Sequence, residues 1–164
     1  MTDADAAMMV VVTMRAVLTV DAGIRRNKFL SLEEKMAHLV ACLGSEKGTW
    51  AGLGRIIASR LFDKVYLVTD DFGMDNYETP DISGVNIGLI HLDFNKSSED
   101  LVPELYVILK KKFSDDKIQD LDIAVNIVSG TGKEHSVVIS TLMKLGYGIR
   151  LVDLDKNGNV LEMI

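Results

Sequence analysis

Short apolar runs and helical stripes alternate along this chain, and their order predicts a fold. Residues 15–20 (Arg15 to Val20) read as a first strand, ended by Asp21, Ala22 and Gly23, with a basic loop over 24–29 behind it. Ser31 and Glu34 have capping-box spacing, in which each side chain satisfies a backbone N–H at a helix start. Leu32, Met36, Leu39, Val40 and Leu43 fall on one helical face, and Gly44 stops that helix. A second stripe, Trp50, Leu53, Ile57 and Leu61, follows a short linker. Val65 to Thr69 reads as a second strand. A polar stretch runs from Asp70 to Gly84, and Asn86 to Asp93 reads as a third strand. Ser97 and Asp100 cap a helix with the stripe Leu101, Leu105, Ile108 and Leu109. Its end, Lys110 to Lys112, carries the positive charge that suits a helix C-terminus.

The strongest local pattern comes next. Ile123 to Val128 is an uninterrupted apolar run of the kind buried on both faces of a parallel sheet. Ser129, Gly130, Thr131, Gly132, Lys133, Glu134 and His135 follow at once. Val137, Val138, Thr141, Leu142 and Leu145 then recur at helical spacing as far as Gly146. Ile149 to Leu154 reads as a fifth strand. Asn157 and Gly158, between it and Val160 to Met163, predict a hairpin with a type I′ turn. Asp153, Asp155, Asn157 and Gly158 also match the opening of a calcium loop, but the twelfth position holds Ile164 instead of Glu. The alternation predicts an α/β, Rossmann-like domain: a mainly parallel sheet with helices on both faces and a C-terminal antiparallel hairpin. One domain over residues 1–164 is expected, with 1–13 as an N-terminal extension and Met14 as an alternative start.

Composition narrows the function. With 24 acidic and 18 basic residues the net charge is −6, which disfavours binding to duplex DNA. No apolar run is long enough to span a membrane, so a cytoplasmic protein without membrane contact is expected. Cys42 is the sole cysteine and reads as a buried thiol. No His, Cys and carboxylate cluster has metal-ligand spacing, so no metal and no cofactor are expected.

The turn at 129–135 suits a phosphate. The first turn of a helix leaves backbone N–H groups without internal partners, and the helix dipole adds positive charge there. Glycines let backbone approach a ligand closely. Ser129 and Thr131 add hydroxyls, and Lys133 adds a full charge. It is not a Walker A loop, because Ile127 and Glu134 stand where Gly and Ser or Thr are required; nor is it a dinucleotide fingerprint, because His135 replaces the third Gly. Asp21 to Lys28, Thr69 to Phe72 and Ser129 to His135 are expected to converge beyond the carboxyl ends of the strands. Arg25, Arg26, Lys28 and Lys133 would make that edge positive. His38 and His91 read as structural residues.

Asn126 followed by Ser129-Gly-Thr-Gly-Lys133 resembles the second signature of CARF domains (CRISPR-associated Rossmann fold). There an Asn-bearing strand runs into a Thr-Gly-Gly-Thr-Lys type of turn. The inner order here is Gly-Thr-Gly, and one extra residue follows Asn126. The resemblance implies a homodimer whose turns line a two-fold pocket for cyclic oligoadenylate, the messenger of type III CRISPR defence. It also implies either sensing or cleavage of that ring. In the cleaving case a metal-independent ring nuclease drives a ribose 2′-hydroxyl onto its adjacent phosphate, typically in cyclic tetra-adenylate. Lys133, His135 and Ser129 are then the catalytic candidates. Asp21, Gly23, Arg25, Asn126, Gly130, Thr131 and Gly132 are the ligand-binding candidates. A stand-alone member is expected, as little chain follows the last strand. The alternatives are a non-catalytic sensor acting through a partner, and an unrelated nucleotide-binding α/β enzyme.

Overall fold

A computed structural model describes residues 28–29 and 38–163. They form one seven-stranded sheet in the order β1-β7-β6-β5-β2-β3-β4. The strands are β1 (Lys28–Phe29), β2 (His38–Leu43), β3 (Lys64–Thr69), β4 (Asn86–His91), β5 (Asp122–Asn126), β6 (Gly148–Leu154) and β7 (Val160–Glu162). The helices are α1 (Lys47–Ala58), α2 (Asp71–Asn76), α3 (Ser98–Asp115) and α4 (Gly132–Leu145). Strands β2 to β6 pair in parallel, and β7 and β1 extend the sheet antiparallel. The Rossmann-like α/β class with a C-terminal antiparallel hairpin is therefore the observed one.

The largest difference from the sequence reading is at β2. Leu39, Val40 and Leu43 lie in strand β2, not on a helix, and all six residues of β2 are buried. Leu39, Ala41 and Leu43 pack with α1 on one face, while Val40 and Cys42 pack with α3 and α4 on the other. A helix buries one stripe, whereas a central parallel strand buries both sides. β2 sits between β3 and β5, where only an unbroken apolar run is tolerated. The expected first strand at 15–20 and the capping box at Ser31 and Glu34 lie outside the described residues. Lys28 and Phe29 pair with Glu162 and Leu161 and form an edge strand, not a loop.

The crossover from β3 to β4 stays on the face of α1. It contains the short helix α2, and Tyr77, Ile82 and Val85 beyond it pack onto the α1 side of the core. From β2 the chain steps outward through β3 to β4, then returns by α3 to β5 on the other flank of β2. Strand order thus reverses between β2 and β5. That is where open α/β sheets leave a crevice for ligands.

The hairpin from β6 to β7 is present with a different turn. Type I′ needs positive φ at both central residues, and of the Asn157-Gly158 pair only Gly158 has it, at 82°. The Gly158 N–H donates to the Asp155 carbonyl at 3.0 Å, and the Asp155 N–H donates to the Asn159 carbonyl at 2.8 Å. Asp155 Oδ1 accepts the N–H groups of Asn157 and Asn159 at 2.8 and 2.7 Å. This is the three-residue hairpin loop that ends on a left-handed glycine. Gly158→Val is expected to destabilise the fold by roughly 1–2 kcal/mol, the cost of a left-handed L-residue. Thermal unfolding checks it: the midpoint should fall by roughly 2–4 °C per kcal/mol.

Candidate functional site at the switch point

Two loops meet where the strand order reverses: Gly44–Glu46 after β2 and Ile127–Thr131 after β5. A Cβ on Gly44 would lie 2.6 Å from the Gly130 Cα and 2.7 Å from its N, so the two backbones touch. Gly130 has φ of 102°, which favours glycine. Ser129 joins the loops. It is 1% exposed, and its Oγ accepts the Gly44 N–H at 2.9 Å and lies 2.7 Å from the Thr49 hydroxyl. Thr49 in turn donates to the Glu46 carbonyl at 2.8 Å.

Two helices therefore begin side by side. α4 opens with a capping box: the Glu134 N–H reaches Thr131 Oγ1 at 3.4 Å, and Glu134 Oε2 accepts the Thr131 N–H at 2.6 Å. That arrangement leaves the N–H groups of Gly132 and Lys133 unbonded by these two side chains. α1 is barer. Its N-cap, Glu46, makes no side-chain cap bond, and no acidic residue lies in its first turn. Ser45, Glu46, Lys47 and Gly48 are all exposed. Orphan amides with their dipole charge are thus presented from two directions around Ser129.

The predicted site residues separate into two groups. Gly130, Thr131 and Gly132 lie at the junction. Ser129, Asn126, Lys133 and His135 lie beside it with their polar atoms engaged. Asn126 is fully buried; its Nδ2 donates to the Val152 carbonyl at 2.8 Å, tying β5 to β6. Lys133 Nζ donates to the carbonyls of Phe94, at 2.7 Å, and of Lys96, clamping α4 to the loop before α3. His135 Nε2 lies 2.9 Å from the Ser129 carbonyl, which can only accept, so the proton sits on Nε2. Asp21, Gly23 and Arg25 lie outside the described residues. Lys28 is in the edge strand β1, three strands removed from β5 in the sheet, and does not join the crevice. Cys42 is buried beside Gly130; desolvation, helped by the Glu134 charge, pushes its thiol up to about 12, so it is an inert packing group.

The loop Gly44–Glu46 reads in sequence as part of a linker between two helices, and its place beyond a sheet strand escaped the sequence reading. Its signal was present: six core residues, a glycine, then a helical stripe, the same order as at 123–145. The helical assignment of Leu39 to Leu43 concealed it.

Next to the junction lies a hollow of ≈ 250 Å³ lined by Asp70, Asp71, Asp93, Thr131, Lys133 and Glu134, among others. Four carboxylates against one ammonium that already holds two carbonyls make it unfavourable for phosphate. Among the described residues no His, Cys, Asp and Glu group could hold a metal ion, and no helix is long and apolar enough to cross a membrane.

No family model and no curated protein matches the sequence. Among solved structures, Enterococcus italicus Csm6, bound to cyclic hexa-2′-fluoro-hexa-dAMP, is similar, with 12% identity and a TM-score of 0.51 over 76% of this chain. The chain shares its fold with Csm6, a CARF-domain protein. It spans 34% of the Csm6 chain. At that identity the likeness is one of fold, and it is the fold that the resemblance to CARF domains implies.

Lys133→Met is expected to lower stability by about 1 kcal/mol, since a partly exposed ammonium loses two carbonyl partners. The melting temperature checks it. An unchanged value would mean that the clamp to Phe94 and Lys96 contributes nothing.

Proposed function

We propose that this chain is a CARF-type binder of cyclic oligoadenylate in type III CRISPR signalling. One observation carries the reading: the loops that lead into α1 and α4 meet at the switch point through Ser129, and α1 has no side-chain cap. Two sets of orphan amides opening onto one crevice suit neighbouring phosphates of one strand. The fold shared with Csm6, solved with a cyclic oligonucleotide, supports the same reading.

Binding without cleavage is the role proposed. Ring opening needs a free proton acceptor for the 2′-hydroxyl and a free charge for the phosphate oxygens. With its proton on Nε2, His135 keeps Nδ1 as an acceptor, but the Ser129 hydroxyl is buried in the loop junction and the Lys133 ammonium is held by two carbonyls, so these candidates leave no free charge for the phosphate oxygens. One crevice covers one or two phosphates, whereas cyclic tetra-adenylate carries four, so the ring is bridged by two copies of the chain about a two-fold axis.

Labelled cyclic tetra-adenylate and cyclic hexa-adenylate, incubated with the protein without metal, test this. The expected result is retention of intact ring by a particle of twice the chain mass in light scattering. Linear product would restore the ring-nuclease reading. No retention of either ring would leave an unrelated nucleotide enzyme, and a monomer with ring bound would remove the two-fold pocket.

A further inference from the structure

Beside the uncapped start of α1 lies a fixed aromatic surface. The Trp50 indole N–H donates to the Gly44 carbonyl at 2.8 Å, which holds the ring against the crevice loop. Tyr77 meets Trp50 edge-on at 5.4 Å between centroids, and Phe72 lies 6.1 Å away, tilted by 52°. Phe72 belongs to α2, just beyond the carboxyl end of β3. Lys47, the first residue of α1, holds its Nζ 5.4 Å from the Phe72 centroid and 5.7 Å from that of Trp50. The same ammonium donates to Asn76 Oδ1 at 3.2 Å. Despite these neighbours Phe72 is 38% exposed.

A lone exposed phenylalanine needs no explanation. This one is braced by an indole and by an ammonium from the first turn of α1, beside the switch-point crevice. A nucleotide has a flat π-face joined to a phosphate, the two features this surface matches. The acidic hollow is lined by Asp70 and Asp71, next to Phe72 in the chain, and repels phosphate, so the phosphates of a bound strand keep to the Lys47 side of the ring.

We propose that Phe72, backed by Trp50 and Lys47, is a stacking platform for an adenine base of the ligand, with Lys47 holding the adjoining phosphate. It deepens the reading of the ligand as a cyclic oligoadenylate and rests on it. Stacking needs a π-face, so an apolar side chain of similar volume does not replace it.

Equilibrium binding of labelled cyclic tetra-adenylate to wild type, Phe72→Leu and Phe72→Tyr tests the platform. Leu should weaken binding by roughly 5- to 150-fold and Tyr should retain it, as expected for the loss of one stacked base. Trp50 is the only tryptophan, so its emission should change on binding to wild type. If wild type binds and Phe72→Leu binds equally well, the platform is overturned while the ring-binding reading survives. A fall in particle mass with affinity per site unchanged would make Phe72 a contact between copies, also overturning it. Should wild type bind no ring, AMP and ribose 5-phosphate titrated against Trp50 emission decide: a response to AMP alone keeps the platform without the ring, and no response removes both.

Discussion

Gly44→Ala is expected to lower stability by roughly 1–3 kcal/mol, the usual cost of forcing a methyl into filled space. The midpoint of thermal unfolding should drop by roughly 2–4 °C for each kcal/mol. The added Cβ would meet the Gly130 backbone at 2.6 and 2.7 Å, and Gly130 has no side chain to turn away. Relief requires the two crevice loops to part. That shift would stretch the 2.9 Å bond from the Gly44 N–H to Ser129. Ligand affinity should therefore fall together with stability. A variant that melts like wild type and binds like wild type would show that the loops do not touch as described.

Ser129→Ala is expected to cost roughly 1–3 kcal/mol, because it strands a buried N–H. Gly44 is buried, its N–H has Ser129 Oγ as partner, and methyl cannot accept. The Thr49 hydroxyl loses its neighbour in the same change. The measurement separates two roles for Ser129. A joining residue gives a lower melting temperature and faster hydrogen exchange at the Gly44 amide. A residue acting on substrate gives an unchanged melting temperature with altered chemistry. The first outcome is the expected one, since a side chain 1% exposed has no room to reach a ribose.

Much of the second half of the chain was legible because its signals are local. Ser97 caps α3 through the Asp100 N–H, as its spacing predicts. Thr131 and Glu134 cap α4, and Gly146 ends it at φ of 88°. Each device acts within a few residues, so the sequence carries it whole. Gly130, Thr131 and Gly132 were placed at the turn between β5 and α4 for the same reason: a strand, a glycine turn and a helix stand next to each other in the chain.

The roles of the polar side chains were not legible, because their partners are remote. Ser129 bonds to Gly44 across 85 positions, Lys133 to Phe94 across 39, and Asn126 to Val152 across 26. A charge-bearing turn looks the same in sequence whether its lysine meets a phosphate or a carbonyl. The fold decides which, by bringing the loop before α3 over the first turn of α4.

By itself the sequence determined the α/β class, the strand–turn–helix unit at 122–145 and the closing hairpin. Periodicity and capping are properties of short segments, and there they agree. Tertiary structure decided that His38 to Leu43 is the central strand. Its apolar positions satisfy a helical stripe as well as a doubly buried strand, and only the backbone pairing offered by β3 and β5, with helices on both faces, separates the two. That choice makes Gly44–Glu46 the first crevice loop and sets where the candidate site lies.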